Sequence, residues 1–311
     1  MQMLTFLLLG LVACGPQQEP ESHKPSPSPK TERPDTPSPR SEKGRDGLRR
    51  VEVGRDSRGE MRSVLFTVPP GYDRKSGKKY PAVWAFHGGK ASSGSQMYPN
   101  WQEHFDEPVV FVFPNGQLSD KQQGAWFVNS GDDLRHVEMV RKAYDAIDAE
   151  VGLDPDRQYA AGFSSGAHMV WQLACKANDL FDGYAGVAHY LKTSYQRSCK
   201  PPTKAPVIVV AGSNDDKSPI GGQKAPDGSV HTIGAENTAA YFAEAEKCAP
   251  NPKRDPLPTA RKVERKVYTG CKGGKVELVV HEGGHDWPGG PKDKRKDLDL
   301  SAYLLEAFEL K

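Results

Sequence analysis

Short apolar runs that stop at glycine or at a Pro/Asn/Gly turn alternate along this chain with stretches of helical periodicity, and few architectures accept that alternation. "SVLFTV" stops at Pro69-Pro70-Gly71, "AVWAF" at His87-Gly88-Gly89 and "PVVFVF" at Pro114-Asn115-Gly116. "QYAAG", "APVIVVAG" and "KVELVVH" have the same form. Runs of this length without polar alternation read as strands buried on both faces. Between them lie helical patterns. Leu134, Val137, Val140, Tyr144, Ile147 and Val151 recur at spacings of three and four, with Asp132 and Asp133 placed to cap and Gly152 to stop. "SGAHMVWQLACKAN", "ENTAAYFAEAEKCA" and "LDLSAYLLEAFEL" predict three more helices. Strands alternating with helices imply an α/β fold, a mostly parallel central sheet with helices on both faces. Chemistry in such a sheet gathers beyond the carboxyl ends of the strands.

The run "QYAAG" opens into Gly162-Phe163-Ser164-Ser165-Gly166, a Gly-x-Ser-x-Gly sequence between a strand signal and a helix signal. That context is what a nucleophile elbow requires. The serine sits on a tight turn that pushes its hydroxyl clear of the backbone, and the flanking glycines avoid collision with neighbouring elements. Ser164 is the candidate nucleophile. The backbone N–H of Ser165 is a candidate oxyanion donor at the helix N-terminus.

A base must come from elsewhere. Of the nine histidines, His285 lies in the loop "GGHDWPGG" after the final strand signal, whereas His281 falls inside that strand and is assigned a structural role. An acid should follow "PVIVVAG", where both Asp215 and Asp216 qualify. The order Ser, Asp, His at three separate strand ends is that of the α/β-hydrolase fold. The loop after "AVWAF" should bring a second oxyanion donor, Gly89, with Lys90 as the other choice. His87 is assigned to anchoring that loop. Trp126 and Trp287 lie in strand-end loops and are candidate walls for a substrate ring.

The front of the chain is different in kind. "LTFLLLGLVAC" is too short to span a bilayer and resembles a bacterial lipobox ending at Cys14, the candidate lipidation site. Residues 15–45 are rich in Pro, Ser and charge and nearly free of apolar side chains, which predicts a disordered tether. Residues 1–14 therefore read as a lipoprotein-type signal, 15–45 as tether and 46–311 as one catalytic domain. This predicts an exported chain that meets membrane only through an N-terminal lipid, at a bacterial outer membrane or cell surface, or is released. The four remaining cysteines should form disulfides outside the cytoplasm, and nearest-neighbour pairing gives Cys175–Cys199 and Cys248–Cys271. No Cys-x-x-Cys spacing suggests a metal. A formal net charge of +2 over 311 residues gives no support to nucleic-acid binding. The locally basic "KRDPLPTARKVERK" reads as a solvated excursion.

The stretches "YPAVWAFHGG", "DPDRQYAAGFSSGAHM", "LFDGYAGVAH", "AGSNDDKSPI" and "HEGGHDWPGG" together resemble the secreted polyhydroxybutyrate-depolymerase/feruloyl-esterase family, which includes carbohydrate esterases. The resemblance runs from about residue 63 to 287. It matches Ser164 and His285 to the family's nucleophile and base. Gly212, Ser213, Asp215 and Pro219 fill a Gly-Thr-x-Asp-x-x-x-Pro pattern, which selects Asp215 as the acid. Two departures bear on the acyl pocket: His87-Gly88-Gly89 replaces the usual His-Gly-Cys, and Ala167 and His168 follow Gly166 where a second glycine is common.

The resemblance implies a serine ester hydrolase, acting as a monomer without metal or organic cofactor on feruloyl or acetyl esters of plant-type polysaccharide. The alternatives are a polyester depolymerase with the same triad and a non-catalytic carbohydrate-binding protein on a hydrolase fold.

Overall fold

A computed structural model describes residues 42–43, 48–55, 59–91, 93–118, 124–126, 134–196, 198–257 and 262–311. All belong to one compact unit, Pro39–Lys311. Cys14 and nearly all of the expected tether lie outside the described residues, as do Asp132 and Asp133. Among the described residues no helix is long and apolar enough to cross a membrane.

In chain order the strands are β1 (Glu42–Lys43), β2 (Arg49–Arg55), β3 (Met61–Phe66), β4 (Tyr80–Phe86), β5 (Val110–Pro114), β6 (Gln117–Leu118), β7 (Gly124–Ala125), β8 (Leu153–Phe163), β9 (Gly183–Val187), β10 (Val207–Gly212), β11 (Gln223–Lys224), β12 (Val230–Thr232), β13 (Lys253–Arg254), β14 (Val263–Tyr268) and β15 (Val276–His281). The helices are α1 (Tyr98–Trp101), α2 (Arg135–Val151), α3 (Ser165–Lys176), α4 (Thr193–Gln196), α5 (Ala235–Ala245) and α6 (Leu300–Ala307).

One eleven-stranded sheet has the order β1-β2-β3-β5-β4-β8-β9-β10-β15-β14-β13. Its centre, β5 through β15, is parallel, and both flanks are antiparallel. The parallel centre is where the apolar runs fall: every residue of β4, β5, β9 and β10 is buried. Helices cover both faces, giving two separate apolar layers, one centred on Trp84, Trp171 and Tyr184 and the other on Trp101, Phe111 and Leu304. This is the α/β-hydrolase fold.

Several local expectations need correction. In α2, Val137, Val140, Ile147 and Val151 are buried, but Leu134 is 39% exposed because it precedes the first turn. The tether's end is not wholly without structure, since Glu42–Lys43 pairs with Arg49–Arg50. The basic stretch before Cys271 is not a simple excursion. Its end enters β14, where Val263, Val267 and Tyr268 are buried against the sheet and Glu264, Arg265 and Lys266 between them are half-buried. Both disulfides, Cys175–Cys199 and Cys248–Cys271, are closed, the state of a chain exported to an oxidising compartment.

Candidate active site

β8 ends at Phe163 and α3 begins at Ser165, so Ser164 alone makes the turn between them. Its backbone has φ 54° and ψ −118°, a region that a non-glycine residue occupies only when its surroundings hold it there, at about 1–3 kcal/mol. Three bonds do so. Ser164 N–H donates to Val187 O at 2.8 Å, and the N–H groups of Ala167 and His168 donate to Ser164 O. The glycines are demanded by backbone, not by side chains. A Cβ on Gly162 would lie 2.3 Å from Gly166 O, and one on Gly166 would lie 2.1 Å from Phe86 O.

The acid and base loops are fastened to each other before either reaches the serine. Ser213 N–H donates to His281 O, Asn214 N–H to Gly283 O at 2.9 Å, and Asn214 Nδ2 to Glu282 O at 2.8 Å. A Cβ on Gly212 would sit 2.4 Å from Gly284 O, so the approach needs glycine. Within the base loop, Gly283 N–H donates to His281 Nδ1, which accounts for His281 as a structural residue. Arg295 ties down the following residue through Asp286 at 2.8 Å.

The result is a contiguous chain. His285 Nε2 lies 2.8 Å from Ser164 Oγ, and His285 Nδ1 lies 2.8 Å from Asp215 Oδ2. Asp215 Oδ1 accepts the N–H groups of Lys217 and Ser218 at 2.9 and 2.8 Å. The acid's side chain is fully buried and that of His285 is 12% exposed. Asp216 is exposed and lines a neighbouring pocket instead, so of the two adjacent acids it is Asp215 that meets the imidazole.

The loop after β4 lies against the elbow. A Cβ on Gly89 would be 3.5 Å from Ser165 Oγ, and one on Gly88 would be 3.1 Å from the Phe163 ring. Ser165, as first residue of α3, has an N–H without an intrahelical acceptor. Its hydroxyl is buried with no hydrogen-bond partner among the described residues. Gly89 and Ser165 thus stand together at the elbow. His87 anchors this loop: its Nδ1–H donates to Gly88 O at 2.7 Å, and its Nε2 accepts from Gly116 N–H at 2.9 Å. Burial pushes this imidazole down to about 4, against the raising effect of its bond to Gly88, so it stays neutral and keeps both bonds.

The two tryptophans are not walls. Trp126 is 5% exposed, donates Nε1–H to His87 O at 2.8 Å and packs edge-on against Phe86. Trp287 is also 5% exposed, donates to Ser301 Oγ and packs on Trp101. Each has an apolar body and one donor, and the interior satisfies both, so they brace the site from behind.

Other residues take the place beside the triad. Phe163 packs on His285 with ring centroids 5.1 Å apart. His189, from the loop after β9, stacks on His168 at 3.6 Å and has Nδ1 3.2 Å from Ser218 Oγ. Burial, then Lys192 and His285, pushes His189 down to about 3. Sequence pattern singled out neither as functional. His189 lay within a resembling stretch, but a histidine after a buried strand has no signature of its own.

The family model described as "Putative esterase" matches residues 56–288. The chain is similar to "Putative esterase NocK" of Nocardia uniformis subsp. tsuyamanensis, 30% identical over 171 residues, 50% of this chain and 49% of that protein. It is also similar to "Probable feruloyl esterase C" of Aspergillus terreus, 24% identical over 72% of this chain and 76% of that protein. The chain thus spans about half the length of the first relative and three quarters of the second. Among solved structures, an acetyl xylan esterase from Aspergillus awamori shares the fold, with TM-score 0.60, 14% identity, and coverage of 85% of this chain and 99% of that one.

Proposed function

Because this chain belongs to the family described as "Putative esterase", we propose that it is a carboxylic-ester hydrolase working through an acyl-enzyme on Ser164. The observation that carries the reading is the unbroken run from Ser164 Oγ through His285 to Asp215, each link 2.8 Å. Ser164 Oγ attacks the ester carbonyl while His285 Nε2 takes its proton. Asp215 accepts from His285 Nδ1–H, which holds the ring in the tautomer that leaves Nε2 free to act as base. The Ser165 and Gly89 N–H groups receive the oxyanion. His285 returns the proton to the departing alcohol, and water, activated the same way, releases the acid.

The substrate class we propose is a feruloyl or acetyl ester on plant-type polysaccharide. The likeness to a feruloyl esterase and the motifs at residues 154–169 and 281–290 support it. The test is hydrolysis of p-nitrophenyl acetate, methyl ferulate, acetylated xylan and polyhydroxybutyrate by the purified protein beside Ser164→Ala. Fast release from the first three, lost in the variant, is expected. Equal, slow release by both proteins would overturn the reading. We further propose that Cys14 carries a lipid; labelling of cells with a fatty-acid probe should mark the wild type and not Cys14→Ala.

A further inference from the structure

The strand between the nucleophile and the acid touches both. In the sheet β9 lies between β8, which runs into Ser164, and β10, which runs into the turn that carries Asp215. Residues 187–190, at its exit, make contacts to either side in succession. Val187 O accepts from Ser164 N–H at 2.8 Å, and Ala188 N–H donates to Val210 O at 2.9 Å. His189 Nδ1 lies 3.2 Å from Ser218 Oγ, and the Tyr190 hydroxyl donates to Ser218 O at 3.3 Å. Ala188 takes φ 55°, a left-handed conformation that a non-glycine residue keeps only where its surroundings fix it.

These contacts close a circuit. His168 N–H donates to Ser164 O at 3.4 Å, one turn into α3. Its ring stacks on that of His189, with centroids 3.6 Å apart and planes 29° from parallel. His189 reaches Ser218 Oγ, and Ser218 N–H donates to Asp215 Oδ1 at 2.8 Å. Ser164 and Asp215 are thus joined twice. One route runs through His285, which gains and loses a proton in each turnover. The other runs through His168, His189 and Ser218, which take no part in the proton transfers.

The second route is firm. Ser218 and His168 are 3% and 6% exposed, and Trp171 Nε1–H donates to His189 O at 3.1 Å. Burial, then His189, Lys192 and His231, holds His168 well below its ordinary value, and burial is also the largest cause of the low His189. The rings therefore stack as neutral imidazoles. A hydroxyl donates or accepts, so Ser218 Oγ is satisfied by either tautomer of His189. Leaving it unpaired would cost about 1–3 kcal/mol, which ties the acid's turn to the ring. The tie matters because a misplacement of about 1 Å at a reacting centre costs about 10²-fold in rate.

We propose that His189 is a positioning residue of the triad: by joining Ser218 to the nucleophile's helix, it holds the Asp215 turn at a fixed span from Ser164. The proposal rests on the ester-hydrolase reading and names a residue that sets the geometry of that site.

The test uses the full chain with His189→Phe, which keeps a flat ring on His168 but removes the nitrogen. Beside it stand Ser218→Ala, the double variant, and His189→Asn, whose amide can serve Ser218 Oγ as donor or acceptor. The first readout is the far-downfield proton NMR signal of His285 Nδ1–H on Asp215, assigned by its loss in His285→Ala. It should move upfield or broaden in His189→Phe and Ser218→Ala and stay in place in His189→Asn. The second is kinetics on p-nitrophenyl acetate. His189→Phe and Ser218→Ala should each lower kcat about five- to tenfold with KM unchanged, the scale of one hydrogen bond. The double variant should lose no more than either alone, and His189→Asn should recover most of the rate. Should His189→Phe fail to fold, Ser218→Ala, which removes one oxygen, carries the comparison. A lowered melting temperature with the signal unmoved would make His189 a packing residue and overturn the proposal, as would additive losses in the double variant. Were the wild type to cleave no ester while the signal still moved as described, the link would stand and the hydrolase reading would fall. Ester cleavage with signal and kcat unaltered in the variants removes the link and leaves the hydrolase reading standing.

Discussion

Ser218 N–H donates to Asp215 Oδ1 at 2.8 Å, on the oxygen that His285 does not use. The carboxylate is therefore oriented by backbone on one side and offers a single oxygen to the imidazole on the other. Asparagine at this position would keep its carbonyl oxygen on the two backbone donors and turn its amide N–H toward His285 Nδ1. That nitrogen would then have to accept, the ring proton would move to Nε2, and the base would be lost. Asp215→Asn should fold normally and lose about 10⁴-fold in kcat. Ser164→Ala should lose at least as much. Steady-state kinetics with a thermal melt on each variant checks both.

Glycine is required at the elbow and optional beside it. A methyl at Gly166 would lie 2.1 Å from Phe86 O and 2.7 Å from His87 O, both backbone atoms. Gly166→Ala should destabilise by at least about 1–3 kcal/mol, the usual range for overpacking. A methyl at Gly89 meets nothing closer than Ser165 Oγ at 3.5 Å, so Gly89→Ala should melt with the wild type. Urea denaturation of the pair would show the contrast.

Acid should unfold this protein earlier than its carboxylates require. Burial pushes His87 down to about 4 and His136 and His189 down to about 3. In the unfolded chain these imidazoles bind protons near pH 6.5. Between that value and about 3–4 the unfolded state holds more protons, so stability falls as pH falls. The contribution is complete above about pH 6.5 and amounts to roughly a few kcal/mol per residue. Urea midpoints at pH 8, 6, 5 and 4 should decline through this window, and His189→Asn should make the decline shallower. A flat profile from pH 8 to 5 would contradict the assignment.

The disulfides close stretches of 24 and 23 residues, worth about 3 kcal/mol each by loop entropy. Cys248→Ala/Cys271→Ala should lower Tm by roughly 6–12 °C. Its kcat on a small ester at 25 °C should match the wild type, since neither cysteine touches the triad loops. Differential scanning calorimetry beside a p-nitrophenyl acetate assay measures both.

What could be read from the chain depended on how local the cause was. The central strands were legible because their apolar runs are continuous, and the elbow because crowding leaves glycine no substitute at Gly162 and Gly166. The acid was ambiguous by the chemistry of the residues alone: Asp215 and Asp216 are equal in that respect, the family pattern favours Asp215, and the turn buries Asp215 and exposes Asp216. β2 was missed because it alternates apolar with charged residues, as one-sided strands do, and β14 because Glu264, Arg265 and Lys266 interrupt its apolar residues. Trp126 and Trp287 were misplaced for a related reason. A tryptophan in a strand-end loop looks the same whether its N–H meets a ligand or, as here, His87 O and Ser301 Oγ. His168 and His189 meet only through the β8–β9 pairing, which no local window contains.

The outermost strands of the large sheet, Glu42–Lys43 and Lys253–Arg254, are two residues long and wholly charged. Short charged rims give another copy's backbone little to join, so they act as end-stops against ribbon growth. Shortening the chain past Lys43 would uncover the Arg49–Arg50 end of β2 as well. Truncated versions should therefore stay dispersed only while that end-stop is kept.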